Sequence, residues 1–337
     1  SQLCEGWADI PNLVSLTANG TVTVTLPFVS ISLKQELLAW AEQQKQSLQL
    51  DSLSFDVVTK PATLKTDKPA VKGVKNIIAV SSGKGGVGKS TTAVNLALAL
   101  YHLGARVGML DADIYGPSVP LMLGVEDKKP NIVDNNRMMP VEAHGIYSNS
   151  IGYLVDKAEA AVWRGPMASK ALSQLLNETW WPELDYLVID MPPGTGDIQL
   201  TLSQQIPTTG AVIVTTPQDL ALTDAIKGVN MFTRVDVPVI GIVENMSVHI
   251  CSQCGYEEAI FGTGGAALMA KKYSIPLLGK LPLHIDIRSE TDSGTPSVAA
   301  NLTSAHSQLY IQLAEQVSSR LYWQGEVAAD QIMFKSL

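Results

Sequence analysis

One stretch constrains this chain more than any other. Four apolar residues, Ile77-Ile78-Ala79-Val80, run almost directly into Gly83-Lys84-Gly85-Gly86-Val87-Gly88-Lys89-Ser90, and a helical pattern opens near Lys89. Strand, glycine-rich loop and helix in that order satisfy G-x-x-x-x-G-K-[ST] in full. The glycines let backbone N–H groups converge on phosphate oxygens with no Cβ in the way. The helix N-terminus turns its positive dipole end to the same point. Lys89 is the expected partner of the terminal phosphates. Ser90, with Thr91 behind it, is the expected hold on Mg²⁺.

The surroundings fit such a loop. Further apolar runs occur at Val107–Leu110, Tyr186–Ile189, Ala211–Val214 and Val239–Val243. Between them lie helical patterns at about 89–103, 167–178, 219–233, 263–272 and 304–322. Apolar strands interleaved with helices predict an α/β fold with a mostly parallel sheet flanked by helices on both faces.

A smaller unit precedes it. Asn19-Gly20 stands between the runs 13–17 and 21–28, a hairpin signal. A helix follows at about 33–46 and an alternating strand at 53–58. Residues 1–60 therefore read as a small β-β-α-β unit, with docking or dimerisation as its default role. Residues 61–75, with two prolines and four lysines, read as a solvated linker. Residues 76–337 form the larger domain.

Composition removes several classes. The 337 residues carry 24 basic and 32 acidic side chains, a net charge of −8, with 46% hydrophobic residues. A binder that grips nucleic acid through a basic surface is unexpected. No run of about 18 apolar residues predicts a membrane span. Three cysteines do not make a disulfide framework, so a reducing, cytoplasmic setting is expected.

Acidic residues close two of the strands. Asp111-Ala112-Asp113 follows Val107–Leu110, and Asp190 ends Leu187-Val188-Ile189. Carboxylates at strand C-termini face the ligand crevice of an open α/β sheet. One can support Mg²⁺ and another can orient the attacking water in phosphoryl transfer. Met191-Pro192-Pro193-Gly194-Thr195-Gly196-Asp197 is a stiff loop with glycine hinges. Asn245, after Val239–Val243, offers a donor and an acceptor suited to a purine edge.

Cys251-Ser252-Gln253-Cys254 is a close thiol pair. Two ligands are too few for zinc or an iron–sulfur cluster, each of which takes four. His249 reads as a surface residue, and Cys4 as a lone thiol far away in sequence. A twofold dimer would supply four thiolates on its axis. A redox dithiol and a zinc shared across a dimer remain alternatives.

Taken together, SSGKGGVGKST, DADIYGPSVP, WRGPMASKAL, DMPPGTGDIQL, TTPQDLALTDA, GIVENMS and the C-x-x-C resemble the bacterial Mrp/ApbC iron–sulfur carrier ATPases, over about residues 72–330. These belong to the deviant P-loop class that includes MinD and ParA. The resemblance implies ATP and Mg²⁺ held by residues 83–91 with Asp111, Asp190 and Asn245. It makes Lys84 a lysine reaching into a partner subunit, Asp113 the water-positioning residue, and Asp190 an outer support of the metal. It implies slow ATP hydrolysis, and a labile [4Fe–4S] cluster bridging two subunits through Cys251 and Cys254. It further implies a homodimer that exchanges clusters with scaffold and apo-proteins. Switches around Asp113 and Asp197 would set the dimer angle. Trp163 and Arg164 would lie at the dimer surface. The rival readings are a MinD/ParA-like positioning ATPase and a zinc-stapled dimeric ATPase. The last helix, about 304–322, argues against a membrane foot, since Arg320 is its only Lys or Arg.

Overall fold

The computed structural model describes residues 2–50, 52–133, 137–155 and 165–328. Strand β1 (Val14–Leu16) turns at Asn19-Gly20 into antiparallel β2 (Thr21–Leu26), with Gly20 at φ +80°. Helix α1 (Ile31–Leu48) then crosses to β3 (Ser54–Thr59), which runs parallel to β2. Leu26, Phe28, Leu33 and Val57 form a small core, and Tyr322 and Trp323 from the last helix pack on it.

The larger unit opens with β4 (Val74–Ser81), α2 (Lys89–His102), β5 (Val107–Asp111) and a short α3 (Val119–Met122). Strands β6 (Ile132–Val133), β7 (Arg137–Met138), β8 (Val141–Ala143) and β9 (Ile146–Ser150) follow, then α4 (Gly165–Asn177) and β10 (Leu184–Asp190). Next come α5 (Asp197–Gln205), β11 (Gly210–Thr215), α6 (Asp219–Arg234) and β12 (Val239–Glu244). The chain continues with β13 (His249–Ile250), β14 (Glu257–Glu258), α7 (Gly265–Tyr273) and β15 (Leu277–Lys280). It closes with α8 (Ile285–Asp292), α9 (Ser297–Ala300) and α10 (Ala305–Gln324).

Eight strands make the central sheet in the order β15-β12-β11-β4-β10-β5-β9-β8, all parallel except the edge strand β8. Helices α2 and α10 cover one face and α4, α6 and α7 the other. The five expected strands are its centre. Strands β8, β9 and β15 escaped the sequence reading because they lack an apolar run. Strand β9 buries Ser148, Asn149 and Ser150, whose side chains are satisfied by Tyr153, Thr179 and Asp111. A polar strand is tolerated inside when each group has such a partner.

The segment read as a solvated linker lies instead against the larger unit. Leu64 and Val71 are buried in it, and Val74 and Lys75 already belong to β4. Leu64 pairs with Val327, and the buried side chain of Asn76 binds Leu64 N and Ala62 O. Lysine-rich composition misled here, because the lysines find carbonyls: Lys75 reaches Pro61 O and Lys68 reaches Ser203 O and Ile206 O.

The small unit sits at the end of the sheet where β4 and β10 begin. Ser318 of α10 donates to Val29 O. Glu315, buried in the same helix, accepts from Ser32 N at 2.8 Å and Ser32 Oγ at 2.7 Å. A carboxylate from one unit thus caps the first turn of α1 in the other, where free N–H groups and the positive dipole end favour it.

Candidate nucleotide site and cysteine hairpin

The phosphate loop leaves the carboxyl end of β4, at the point where strand order reverses, with β10 on one side and β11 on the other. Open α/β sheets bind ligands at such a reversal. Gly86 and Gly88 take positive φ, +82° and +80°. Gly85 and Gly86 are exposed, and a Cβ at either would meet no atom beyond its neighbours within 4 Å, so this side of the loop is open. Gly83 is different: its backbone lies against α6, where a Cβ would stand 2.1 Å from Asp224 O.

Lys89, buried, pairs with Asp190 Oδ1 and donates to Ser90 Oγ at 3.2 Å. Asp190 is fully buried, and its Oδ2 has no hydrogen-bond partner among the described residues. An orphaned carboxylate oxygen beside a serine hydroxyl fits a hydrated divalent cation, since hard cations take oxygen ligands and water. Lys84 is half-buried at the loop rim, its carbonyl accepting from Ser82 Oγ. Asn245 donates its amide to Val87 O at 2.9 Å, so the residue expected at a purine edge braces the phosphate loop.

Register explains the acidic cluster. Strands β5 and β10 pair Asp111 with Asp190, two carboxylates on adjacent strand ends. Burial pushes Asp111 up to about 7, the Asp190 charge adds to this, and N–H bonds and Lys89 pull back. Asp111 accepts from Asp113 N, Ser118 N, Val119 N and Ser150 Oγ, at 3.0–3.1 Å. Every one of these partners donates, which suits the ionised form. The resemblance sets Asp111 beside the metal; in the structure its oxygens accept from the loop after β5 and from Ser150 of β9. Asp113 follows on that loop, its carboxyl raised chiefly by burial, with Lys89 opposing and Asp190 reinforcing.

The 191–197 loop is fastened to the phosphate loop. Gly194, at φ +92°, donates N–H to Ser82 O at 3.1 Å, and Met191 N binds Val80 O. Gln199, in the first turn of α5 and buried, donates to Ser81 Oγ. Sequence reading gave no role to Gln199, although it stands in the string DMPPGTGDIQL, and missed Ser150, which stands in no pattern that marks a site. Trp163 and Arg164 lie outside the described residues, whereas Gly165, Pro166 and Met167 open α4.

The cysteines form the tip of the β13–β14 hairpin. Cys251 N donates to Tyr256 O, Gly255 N donates to Cys251 O, and Gly255 turns at φ +71°. N–H groups of Gln253 and Cys254, with the Cys254 thiol, hold the Cys251 thiol below its usual range. Two amides aimed at one sulfur are a thiolate cradle. Both cysteines are accessible, and among the described residues no group of three or more His, Cys, Asp or Glu could hold a metal. Cys4 does not join them; it lies near Tyr322, by the small unit at the opposite end of the sheet.

The pattern of known proteins agrees with this geometry. Residues 73–318 match ParA, described as NUBPL iron-transfer P-loop NTPase. An iron-sulfur cluster carrier protein of Haemophilus influenzae is 62% identical over 313 residues, 89% of this chain and 84% of its own length. An iron-sulfur cluster transfer protein NUBPL of Dictyostelium discoideum is 49% identical over 255 residues, 75% of this chain and 79% of its own. Among solved structures, a nucleotide-binding protein of Archaeoglobus fulgidus in complex with ADP is 39% identical with a TM-score of 0.59, over 66% of this chain and 87% of that one. The cell division ATPase MinD of Pyrococcus furiosus, at 23% identity and a TM-score of 0.55, covers 72% of this chain and 98% of that one, and shares the fold. With a complete phosphate loop, a parallel sheet and a match across most of its length, the chain belongs to the ParA/NUBPL family of iron-transfer P-loop NTPases.

Proposed function

We propose that this protein is an ATP-dependent iron–sulfur cluster carrier that holds a labile [4Fe–4S] cluster between two copies of itself and passes it to apo-proteins. The carrying observation is the pair Cys251 and Cys254, accessible on one hairpin and lacking further ligands of the same chain among the described residues. Two copies supply the four thiolates that a cluster takes. A scaffold protein would deliver the cluster. The relatives named as cluster carriers and transfer proteins support the same reading.

ATP would lie on the loop 83–91, with its phosphates on backbone N–H groups and Lys89. Ser90 would hold Mg²⁺, with Asp190 supporting it through water. The ion would neutralise developing charge on the phosphates. Asp113 would orient the attacking water. Lys84 would reach the partner subunit's nucleotide, and Asn245 keeps its carbonyl side for the base. The accessible hairpin suits release of cargo.

Anaerobic reconstitution with iron and sulfide tests this. About four irons per dimer are expected, lost in a Cys251→Ala/Cys254→Ala variant, with transfer to an apo-ferredoxin from the loaded protein only. Iron content unaffected by the variant would sink the proposal. The positioning-ATPase reading finds less support: α10 buries Tyr310, Leu313, Val317 and Leu321 in the core, and no helix among the described residues is long and apolar enough to cross a membrane.

A further inference from the structure

Lys68 reaches from the segment between the two units to the far end of α5. Its Nζ lies 2.6 Å from Ser203 O and 3.0 Å from Ile206 O. Ser203 O would find its helical donor four residues on, but residue 207 is proline and has no N–H. The ammonium supplies that donor, and a cation at a helix C-terminus also meets the negative end of the dipole.

The opposite end of α5 leads out of the 191–197 loop. Gln199 ties that end to Ser81, and Gly194 ties the loop to Ser82, beside the phosphate loop. Nine helical residues make a rod about 13 Å long. Such a rod does not compress, so the position of one end sets the other. The segment bearing Lys68 is a firm anchor, because Asn76 holds Ala62 O and Leu64 N, and Leu64 pairs with Val327.

We infer that Lys68 is a positioning residue of the nucleotide cycle: by holding Ser203 and Ile206 it fixes α5, and through α5 the approach of the 191–197 loop to the terminal phosphate. The inference rests on the NTPase reading above.

The test is Lys68→Met in the full chain, with Lys68→Arg as the conservative variant. Fluorescent ADP binding with Mg²⁺ and steady-state hydrolysis are measured on both. Lys68→Met is expected to bind nucleotide as the wild type does and to hydrolyse ATP about tenfold more slowly, the scale of loss from slight misplacement. Lys68→Arg, which keeps the charge and donors, is expected to restore turnover. Amide exchange over residues 197–206 should quicken in Lys68→Met alone. Unchanged turnover in Lys68→Met would overturn the inference while leaving the NTPase reading intact. Equal losses of binding and turnover without rescue by arginine would mean a merely structural contact, and overturn it as well. If the wild type binds no nucleotide, the NTPase reading itself falls and takes the inference with it.

Discussion

Asn245 occupies the space that a side chain at Gly88 would need. Its Nδ2 donates to Val87 O at 2.9 Å, and a Cβ on Gly88 would stand 2.1 Å from that nitrogen. Gly88 also holds φ +80°. Gly88→Ala therefore carries a left-handed penalty of about 1–2 kcal/mol and displaces the brace. Nucleotide binding, followed by fluorescent ADP titration, should fall at least tenfold, with a modest drop in melting temperature. An unchanged affinity would show that the brace tolerates displacement.

Lys89 and Asp190 form a buried ion pair. Removing one partner strands the other charge, at a cost of about 3–5 kcal/mol, whereas replacing both together costs much less. Urea unfolding of Lys89→Met, Asp190→Leu and the double variant should show this non-additivity. Additive losses would mean that the two side chains do not depend on each other for burial.

Glu315 caps α1 across the boundary between units. Glu315→Ala leaves Ser32 N without its acceptor and should cost about 1–3 kcal/mol. The loss should localise: limited proteolysis should cut first within residues 31–48. Cleavage elsewhere, with α1 intact, would show that other contacts suffice to seat the unit.

Cys251 titrates below the usual thiol range because backbone N–H groups of Gln253 and Cys254 stabilise its thiolate. A lowered pKa means more thiolate at any given pH beneath it. Alkylation of Cys251 by iodoacetamide, followed by mass spectrometry, should thus rise with pH through a midpoint below that of glutathione under the same conditions. A midpoint at or above that of glutathione would mean that the cradle does not form in solution.

The phosphate loop was readable because its chemistry is local: eight consecutive residues carry the turn, the donors and the lysine. The C-x-x-C was readable for the same reason. Ser150, Gln199 and Lys68 were not, because their partners Asp111, Ser81 and Ser203 lie 39, 118 and 135 residues away and meet only through sheet order. Asp111 was placed beside the metal by the family resemblance, on a strand end that faces the crevice. What sequence could not show was how many backbone donors the following loop would turn back upon it. The linker misled in the opposite sense: its lysines signalled solvent, and two of them turn inward to carbonyls.

The strand that braces the phosphate loop also leads to the thiols. Asn245 touches Val87, and the first cysteine follows six residues later. Between them Ser247 N donates to Leu281 O and Ile250 N to Leu283 O, while Val248 O accepts from Leu283 N. So short and so fastened a connection leaves no slack. The phosphate loop and the thiol pair share one fastened bracket, and a few glycines inserted after Met246 would leave each intact while parting one from the other.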